Sequence, residues 1–201
     1  MSKKWDYITP GIPDDLFVRG EVPMTKEEVR TLTISKLRLR ADHHLVDVGA
    51  GTGSISVEAA LLLRDGSVTA VEKNIAGVEL IAQNARAFGL HNIGIIHGTA
   101  PEALEGIGPA DRVVIGGSSG RLPEIIRACR EILVPEGLLV INCILLETLS
   151  SCMQSLKELK FTSVQLLSLS MARGEPGPAG GGTMLKPLNP VFIVSGRKEV
   201  Q

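Results

Sequence analysis

The chain has 201 residues, 44% hydrophobic and 21% charged, with a formal net charge of −1. This length and balance describe one ordinary globular domain, able to bury roughly 70% of its unfolded surface, rather than a disordered, fibrous or membrane chain. Near-neutral charge speaks against a dedicated nucleic-acid binder, while leaving room for a local basic patch. Cys129, Cys143 and Cys152 have no C-x-x-C spacing. Neither a disulfide framework nor a metal site is therefore expected, and a reducing cytoplasm fits. Met1–Pro10 is polar, without the apolar core of a secretory leader. No run approaches the roughly 18 apolar residues of a membrane span.

Short apolar runs alternate with amphipathic segments along the chain. His44–Val48 reads as a buried strand and Ser54–Leu63 as a helix; Ser67–Val71 and Ile75–Phe88 repeat the pair. Asn92–Ile96 and Arg112–Ile115 read as the third and fourth strands, Arg121–Leu133 as a helix, and Leu138–Ile144 as a fifth strand after the Pro135-Glu136-Gly137 turn. This rhythm predicts a parallel sheet with helices on both faces. Thr148–Leu159 is then a helix, with Ser163–Met171 and Asn189–Arg197 as the last two strands. No helical segment separates those two, so they are expected to pair antiparallel across a long Gly/Pro-rich loop, Arg173–Pro187.

The most informative segment is Asp47-Val48-Gly49-Ala50-Gly51-Thr52-Gly53-Ser54, between the first strand and its helix. Glycines there let the backbone turn sharply and approach a ligand. The third glycine comes one residue too early for the dinucleotide fingerprint, and no Gly-Lys-Ser/Thr follows, which disfavours pyrophosphate and Walker-type cradles. The helix N-terminus and free amides suit a carboxylate, and Asp47 can offset an ammonium group. Glu72 closes the second strand, where a carboxylate can accept both hydroxyls of a ribose. The plainer readings are a structural turn and a strand-end surface charge.

The spelling Asp-x-Gly-x-Gly-x-Gly resembles the first motif of class I methyltransferases, whose loop holds the methionine part of S-adenosylmethionine. The resemblance implies their Rossmann-like fold, a doubly wound, mostly parallel seven-stranded sheet ending in an antiparallel hairpin. It also places Gly49, Ala50, Gly51, Thr52 and Gly53 against the cofactor. In that family the end of the third strand usually carries an Asp at the adenine amino group; here Thr99 stands there, so the contact is expected from Thr99 or the Ala100 backbone. After the fourth strand comes Gly116-Gly117-Ser118-Ser119-Gly120 in place of an Asn/Asp-Pro-Pro-Tyr/Phe box, which tilts the reaction toward a carbon or oxygen nucleophile. His97 reads as packed or solvated rather than as a base.

Further segments narrow the match: Gly11-Ile12-Pro13-Asp14-Asp15-x-Phe17-x-Arg19, Pro23-Met24-Thr25-Lys26-Glu27-Glu28-Val29-Arg30, Ala100-Pro101-Glu102-Ala103-Leu104 and Ile144-Leu145-Leu146-Glu147-Thr148. With the glycine loop, they resemble the decarboxylating cobalt-precorrin C15-methyltransferases of cobalamin biosynthesis over nearly the whole chain. The resemblance implies methylation of cobalt-precorrin-6B at carbon 15 with loss of carbon dioxide from the ring C acetate. It also implies a homotetramer and a separate partner enzyme acting at carbon 5.

In that family the Pro-x-Thr segment packs against the cofactor, which assigns Thr25 a contact with the methionine carboxylate. Thr25 and Glu28 also have the spacing of a capping box, and both roles can coexist. A substrate rich in carboxylates calls for basic groups at the cleft mouth, and Arg19 and Arg173 are the candidates beside solvated loop arginines. Glu147, expected at the end of strand five, steers a substrate nitrogen or relays a proton, or else caps the next helix. Asp14 orients Arg19 or caps a local turn. Residues 1–30 are thus expected to cover the site, and residues 172–187 to act as a lid or a mobile loop. The rival readings are a class I methyltransferase for RNA, protein carboxyl groups or another small molecule, an NAD-dependent oxidoreductase, and a non-enzymatic binding module.

Overall fold

The computed structural model describes residues 5–178 and 181–200. Residues 1–4, 179, 180 and 201, which include the start of the expected cover and the middle of the Gly/Pro-rich segment, lie outside it. A 3-10 turn at Asp14–Leu16 leads to α1 (Glu27–Leu37). There follow β1 (His44–Val48), α2 (Ser54–Leu62), β2 (Ser67–Glu72), α3 (Ile75–Ala87), β3 (Ile93–His97) and β4 (Ala110–Ile115). The chain continues through α4 (Leu122–Ile132), β5 (Leu133–Cys143), α5 (Leu146–Glu158), β6 (Phe161–Leu169), β7 (Ala172–Pro176), β8 (Thr183–Pro187) and β9 (Val191–Lys198).

The main sheet is seven-stranded, in the order β3-β2-β1-β4-β5-β9-β6. β1 to β5 pair in parallel, and β9 runs antiparallel between β5 and β6. This is the class I methyltransferase arrangement expected from the sequence. Alternate residues of the central strands feed two cores. Val46, Val113, Leu139 and Ile141 pack against Ile125 and Ile126 of α4 and Leu156 of α5. Leu45, Val114, Val140 and Ile193 face Ile34 and Leu37 of α1 and Ile55 and Ala59 of α2. A smaller cluster of Ile12, Phe17, Val57 and Phe88 seats the N-terminal segment. No helix among the described residues is long and apolar enough to cross a membrane.

Three local expectations are corrected. The Arg173–Pro187 loop contains a two-stranded antiparallel ribbon, β7–β8, with Arg173 opposite Lys186. Its Pro176 and Pro187 occupy the terminal pairs of the ladder, where a missing N–H costs least, so the prolines that suggested a loop are compatible with strand. The Pro135-Glu136-Gly137 turn lies inside β5, where an irregularity between the Ala110 and Arg112 pairings absorbs it. Finally, β5 ends at Cys143 and α5 begins at Leu146, so Glu147 sits in a first helical turn rather than at a strand end.

The strand order reverses between β1 and β4. In open α/β sheets the carboxyl ends of such strands frame the ligand crevice.

Candidate functional site

Two glycine turns meet at that crevice. Gly49 has φ +71°, and a Cβ on it would lie 2.6 Å from the Gly117 carbonyl oxygen, so only glycine lets the β1 and β4 turns touch. The N–H groups of Gly49 and Ala50 both donate to the Val71 carbonyl, which pins the loop to the end of β2. Glu72, 7% exposed, accepts from Gly51 N through Oε2 and from Asn74 N through Oε1, each at 2.8 Å. Each oxygen retains a lone pair for a further donor. Gly77 presses α3 onto this carboxylate: a Cβ there would lie 2.7 Å from Glu72 Cγ.

Asp47 is 1% exposed and receives the Ser56 hydroxyl on Oδ2 at 2.6 Å. Its Oδ1 is buried and has no hydrogen-bond partner among the described residues. Burial above all, offset in part by the Ser56 bond and aided by the nearby Glu72 charge, pushes this carboxyl up to about 6. The Thr52 hydroxyl is likewise buried and unpartnered among the described residues. Glu72 and Asp47, which line the crevice, form a polar floor with open valences, which buried polar groups seldom keep unless a ligand or water completes them.

Above this floor lies a cavity of about 590 Å³, walled by Gly49, Gly51, Glu72, Asn74, Thr99 and Ala100 and roofed by Val22 and Pro23. A second cavity of about 390 Å³ shares Pro23, Gly49, Gly51 and Gly116 with the first. It extends over β5 and β9 to Thr25, Asn142, Ile144, Met171, Leu188 and Val191. Gly49, Gly51, Glu72, Thr99 and Ala100 thus line the first cavity, and Thr25, Asp47, Gly49, Ala50 and Gly51 the second. Thr52 and Gly53 lie behind the loop: the Thr52 carbonyl accepts from Asn84 Nδ2 at 2.9 Å. His97 Nε2 meets the Lys73 carbonyl at 3.1 Å, outside both cavity walls.

The four expected substrate-orienting residues are placed differently. Asp14 belongs to a buried ionic cluster around Arg30, which is 0% exposed. Arg30 Nε donates to Glu58 Oε1 at 2.6 Å, and Nη1 donates to Asp14 Oδ1 at 3.2 Å and to the Thr25 carbonyl at 2.6 Å. Glu58 also accepts from Gly11 N and Ile12 N, and Asp14 Oδ1 accepts from Glu27 N at 3.0 Å. Asp14 therefore serves the start of α1, and it meets Arg19 only through its backbone carbonyl, to which exposed Arg19 Nε donates at 2.9 Å.

Thr25 is not the cap of α1. That place belongs to Lys26, without a side-chain bond, and the expected capping box is absent because Glu28 turns to Arg173. Arg173 Nε and Nη2 grip Glu28 at 2.9 and 2.8 Å, tying the ribbon to α1, and this contact holds the Glu28 carboxyl below its ordinary range. Glu147 is exposed and outside both cavity walls.

Sequence reasoning missed Arg30, Glu58, Asn84 and Asn142. Arg30 directly follows Val29 on the buried side of α1, and Glu58 is the one charged residue of α2, Ser-Ile-Ser-Val-Glu-Ala-Ala-Leu-Leu. A charge on an otherwise apolar face signals a buried pair. Among the described residues, no three His, Cys, Asp or Glu side chains gather as a metal site.

Comparison with known proteins agrees with this geometry. A family model described as the precorrin methyltransferase domain matches residues 15–198. The chain is 42% identical over 199 residues to a probable cobalt-precorrin-6B C(15)-methyltransferase (decarboxylating) of Saccharolobus solfataricus, covering 97% of this chain and 99% of the relative. It is 44% identical over 187 residues to a cobalt-precorrin-6B C(15)-methyltransferase (decarboxylating) of Salmonella typhimurium, covering 92% and 95%. The crystal structure of a precorrin-6y C5,15-methyltransferase from Geobacter metallireducens superposes with a TM-score of 0.88 at 36% identity, covering 96% of this chain and 100% of that one.

Proposed function

The chain belongs to the precorrin methyltransferase family, and from that premise we propose that it methylates cobalt-precorrin-6B at carbon 15 and releases the carboxyl group of the ring C acetate as carbon dioxide, using S-adenosylmethionine. The observation that carries the cofactor reading is the polar floor at the switch point. Glu72 keeps lone pairs open to the first cavity, and Asp47 keeps a buried oxygen without a partner among the described residues. These groups fit a ligand with a ribose at one end and an ammonium at the other.

Glu72 would hold the ribose hydroxyls, Asp47 the ammonium, and Thr99 and Ala100 the adenine edge. Gly49, Ala50, Gly51 and Thr25 would flank the methionine part, with Thr52 and Gly53 supporting the loop. When bound, S-adenosylmethionine supplies a methyl group already activated on a sulfonium. The protein's task is then mainly placement: holding an electron-rich carbon at near-attack distance contributes much of the rate.

The second cavity, with Met24, Ile144, Met171 and Leu188 in its wall, offers apolar surface for a macrocycle. It is smaller than a whole tetrapyrrole with its acid arms, so it takes one edge. Arg19 and Glu147, both exposed, are proposed to meet the peripheral groups of the substrate. Asp14 and Arg173 act by holding the covering segment and the ribbon in place.

A separate enzyme is proposed to methylate carbon 5. We place the enzyme in the cytoplasm, with which its three buried free thiols accord. We further propose that it assembles as a homotetramer; Met184 and Leu185, 56% and 72% exposed on the ribbon, offer apolar surface for contact between copies. A net charge of −1 supports a small-molecule rather than a nucleic-acid partner.

Calorimetric titration with S-adenosylhomocysteine tests the cofactor site. Micromolar binding to the wild type, weakened roughly 100-fold in Glu72→Ala, is expected from the loss of charge-assisted hydrogen bonds. Equal affinity in the two proteins sinks the assignment of Glu72.

A further inference from the structure

One buried amide joins the covering segment to the glycine loop and lines neither of the two cavities. Between Phe17 and Pro23 the cover runs along α3 toward the start of that helix. Phe17 packs on Phe88 with ring centroids 5.3 Å apart, and Val18 bonds to Asn84. A Cβ on Gly20 would lie 3.3 Å from Leu80 Cδ1. Residues four apart share one face of a helix, so positions 80, 84 and 88 form a single track for the cover. The track ends on the glycine loop, where a Cβ on Gly51 would lie 3.0 Å from the Pro23 carbonyl oxygen.

Asn84 is the polar point of this track, and it is 0% exposed. Its Oδ1 accepts from Val18 N at 2.7 Å, and its Nδ2 donates to the Val18 carbonyl at 3.1 Å and to the Thr52 carbonyl at 2.9 Å. Both amide protons are thus used, and the partners fix the orientation: turned over, the oxygen would face two carbonyls. An apolar side chain here would deprive three buried backbone groups of this partner, which is unfavourable. The same helix fits the loop closely from the other side, since a Cβ on Gly53 would lie 3.0 Å from Ile81 Cγ1. The Asn84 amide is therefore the tie that adds the cover to helix and loop.

The tie lies just before the Val22–Pro23 roof of the first cavity. Loosening the roof from the loop shortens the residence of anything held beneath it. Resting on the cofactor reading above, we infer that Asn84 is a positioning residue for the cofactor: by holding Val18 to Thr52 it keeps the roof over the bound molecule and slows its escape. It acts through the cover and touches no reacting atom.

The test uses the full chain as wild type, Asn84→Ala, Val18→Pro, the double variant and Leu156→Ala. Val18→Pro removes the N–H that Asn84 Oδ1 accepts and leaves α3 intact; Phe17 already has the extended ψ of 145° that suits a residue before proline. Leu156→Ala lowers stability by emptying core space under α5, away from the tie. Dissociation of S-adenosylhomocysteine is followed by stopped-flow displacement, and amide exchange over residues 18–25 by mass spectrometry. Each single variant at the tie is expected to speed dissociation roughly tenfold, the order for a lost buried hydrogen bond, and to speed exchange in the cover. The double variant should go no more than about twofold beyond the larger single effect, because both changes remove one contact. Leu156→Ala should dissociate within about twofold of the wild type.

Unchanged dissociation in both single variants overturns the proposal. So do fully additive effects in the double variant, which would show that Asn84 does not act through Val18. An equal acceleration by Leu156→Ala also overturns it, by reducing the role to general stability. If Asn84→Ala proves poorly folded, Val18→Pro measured against Leu156→Ala still decides. A wild type that binds no S-adenosylhomocysteine overturns the cofactor reading and this proposal with it. Wild-type binding with indifferent variants overturns the proposal alone.

Discussion

Asp47 on the floor of the crevice and Asp14 in its cover are both nearly buried aspartates, 1% and 7% exposed, with opposite surroundings. Asp14 meets Arg30, the Glu27 amide, Arg173 at 3.4 Å and Lys26 at 3.9 Å. Asp47 has the Ser56 hydroxyl on one oxygen and no partner among the described residues on the other. The same contrast extends to the regions they represent. The cover, from Gly11 to Arg30 with the β7–β8 ribbon, uses its charges on itself through Arg30, Glu58, Glu28 and Arg173. The floor, built by the β1, β2 and β4 turns, leaves valences open. A charged residue beside a cleft is thus a ligand candidate only when the fold has not already supplied its counter-charge.

The contrast is broken most severely by removing the centre of the cover. Arg30→Ala strands Glu58 as a buried acid without a counter-charge, leaves Asp14 only the more distant Arg173 and Lys26, and is expected to cost about 3–5 kcal/mol in urea unfolding. A loss under about 1 kcal/mol would mean that the cluster does not hold the cover.

Next in size is the pH response of the floor. Asp47 is raised from 3.8 to about 6 by burial. For the ligand-free fold, a raised carboxyl contributes stability that is fully present below its unfolded value near 3.8 and is lost as pH rises through about 6. Binding of an ammonium-bearing ligand has the opposite sign, because it needs the carboxylate. S-adenosylhomocysteine affinity should fall about fourfold between about pH 7.5 and 5.5, and Asp47→Asn should be weaker throughout and nearly flat. A wild-type affinity independent of pH would remove Asp47 from the ammonium site.

The smallest effect sharpens the comparison at its edge. Arg173 and Glu28 are 41% and 39% exposed, so Arg173→Lys should alter global stability by under about 1 kcal/mol. Limited proteolysis should nonetheless cut residues 172–187 faster, since lysine loses the bidentate grip. Cleavage at the wild-type rate would show that the latch does not order the ribbon.

Much of the floor was legible from residue order, because its geometry is local. Gly49, Gly51 and Glu72 sit where a strand ends and a turn begins, and the backbone conformations a glycine loop requires leave a mark in composition. The strands were legible from their apolar runs, with an error where a turn signal proved compatible with strand, as at Pro176; at Pro135-Glu136-Gly137 the chain does turn, with Glu136 at φ +65° and the β4 pairing skipping from Leu133 to Leu138. Glu147 was misplaced because Leu145 supplies no side-chain cap to announce α5.

The cover was far less legible. Arg30 and Glu58 lie 28 positions apart, and Arg173 and Glu28 lie 145 apart. Nothing local distinguishes a paired arginine from a free one, so Arg173 looked like a ligand for substrate carboxylates and Asp14 like the partner of Arg19, when the two are counter-ions to each other and to α1. The contact of Asn142 with Thr33, 109 positions away, was missed for the same reason.

By itself, then, the amino-acid order determined the alternating architecture, the glycine loop and the acid at the end of β2, all of which follow from backbone sterics and short-range periodicity. Only the tertiary structure decided which charges are consumed in pairs and which polar atoms remain open. Pairing joins residues distant in the chain, and a buried polar group acquires its function from what the fold places beside it.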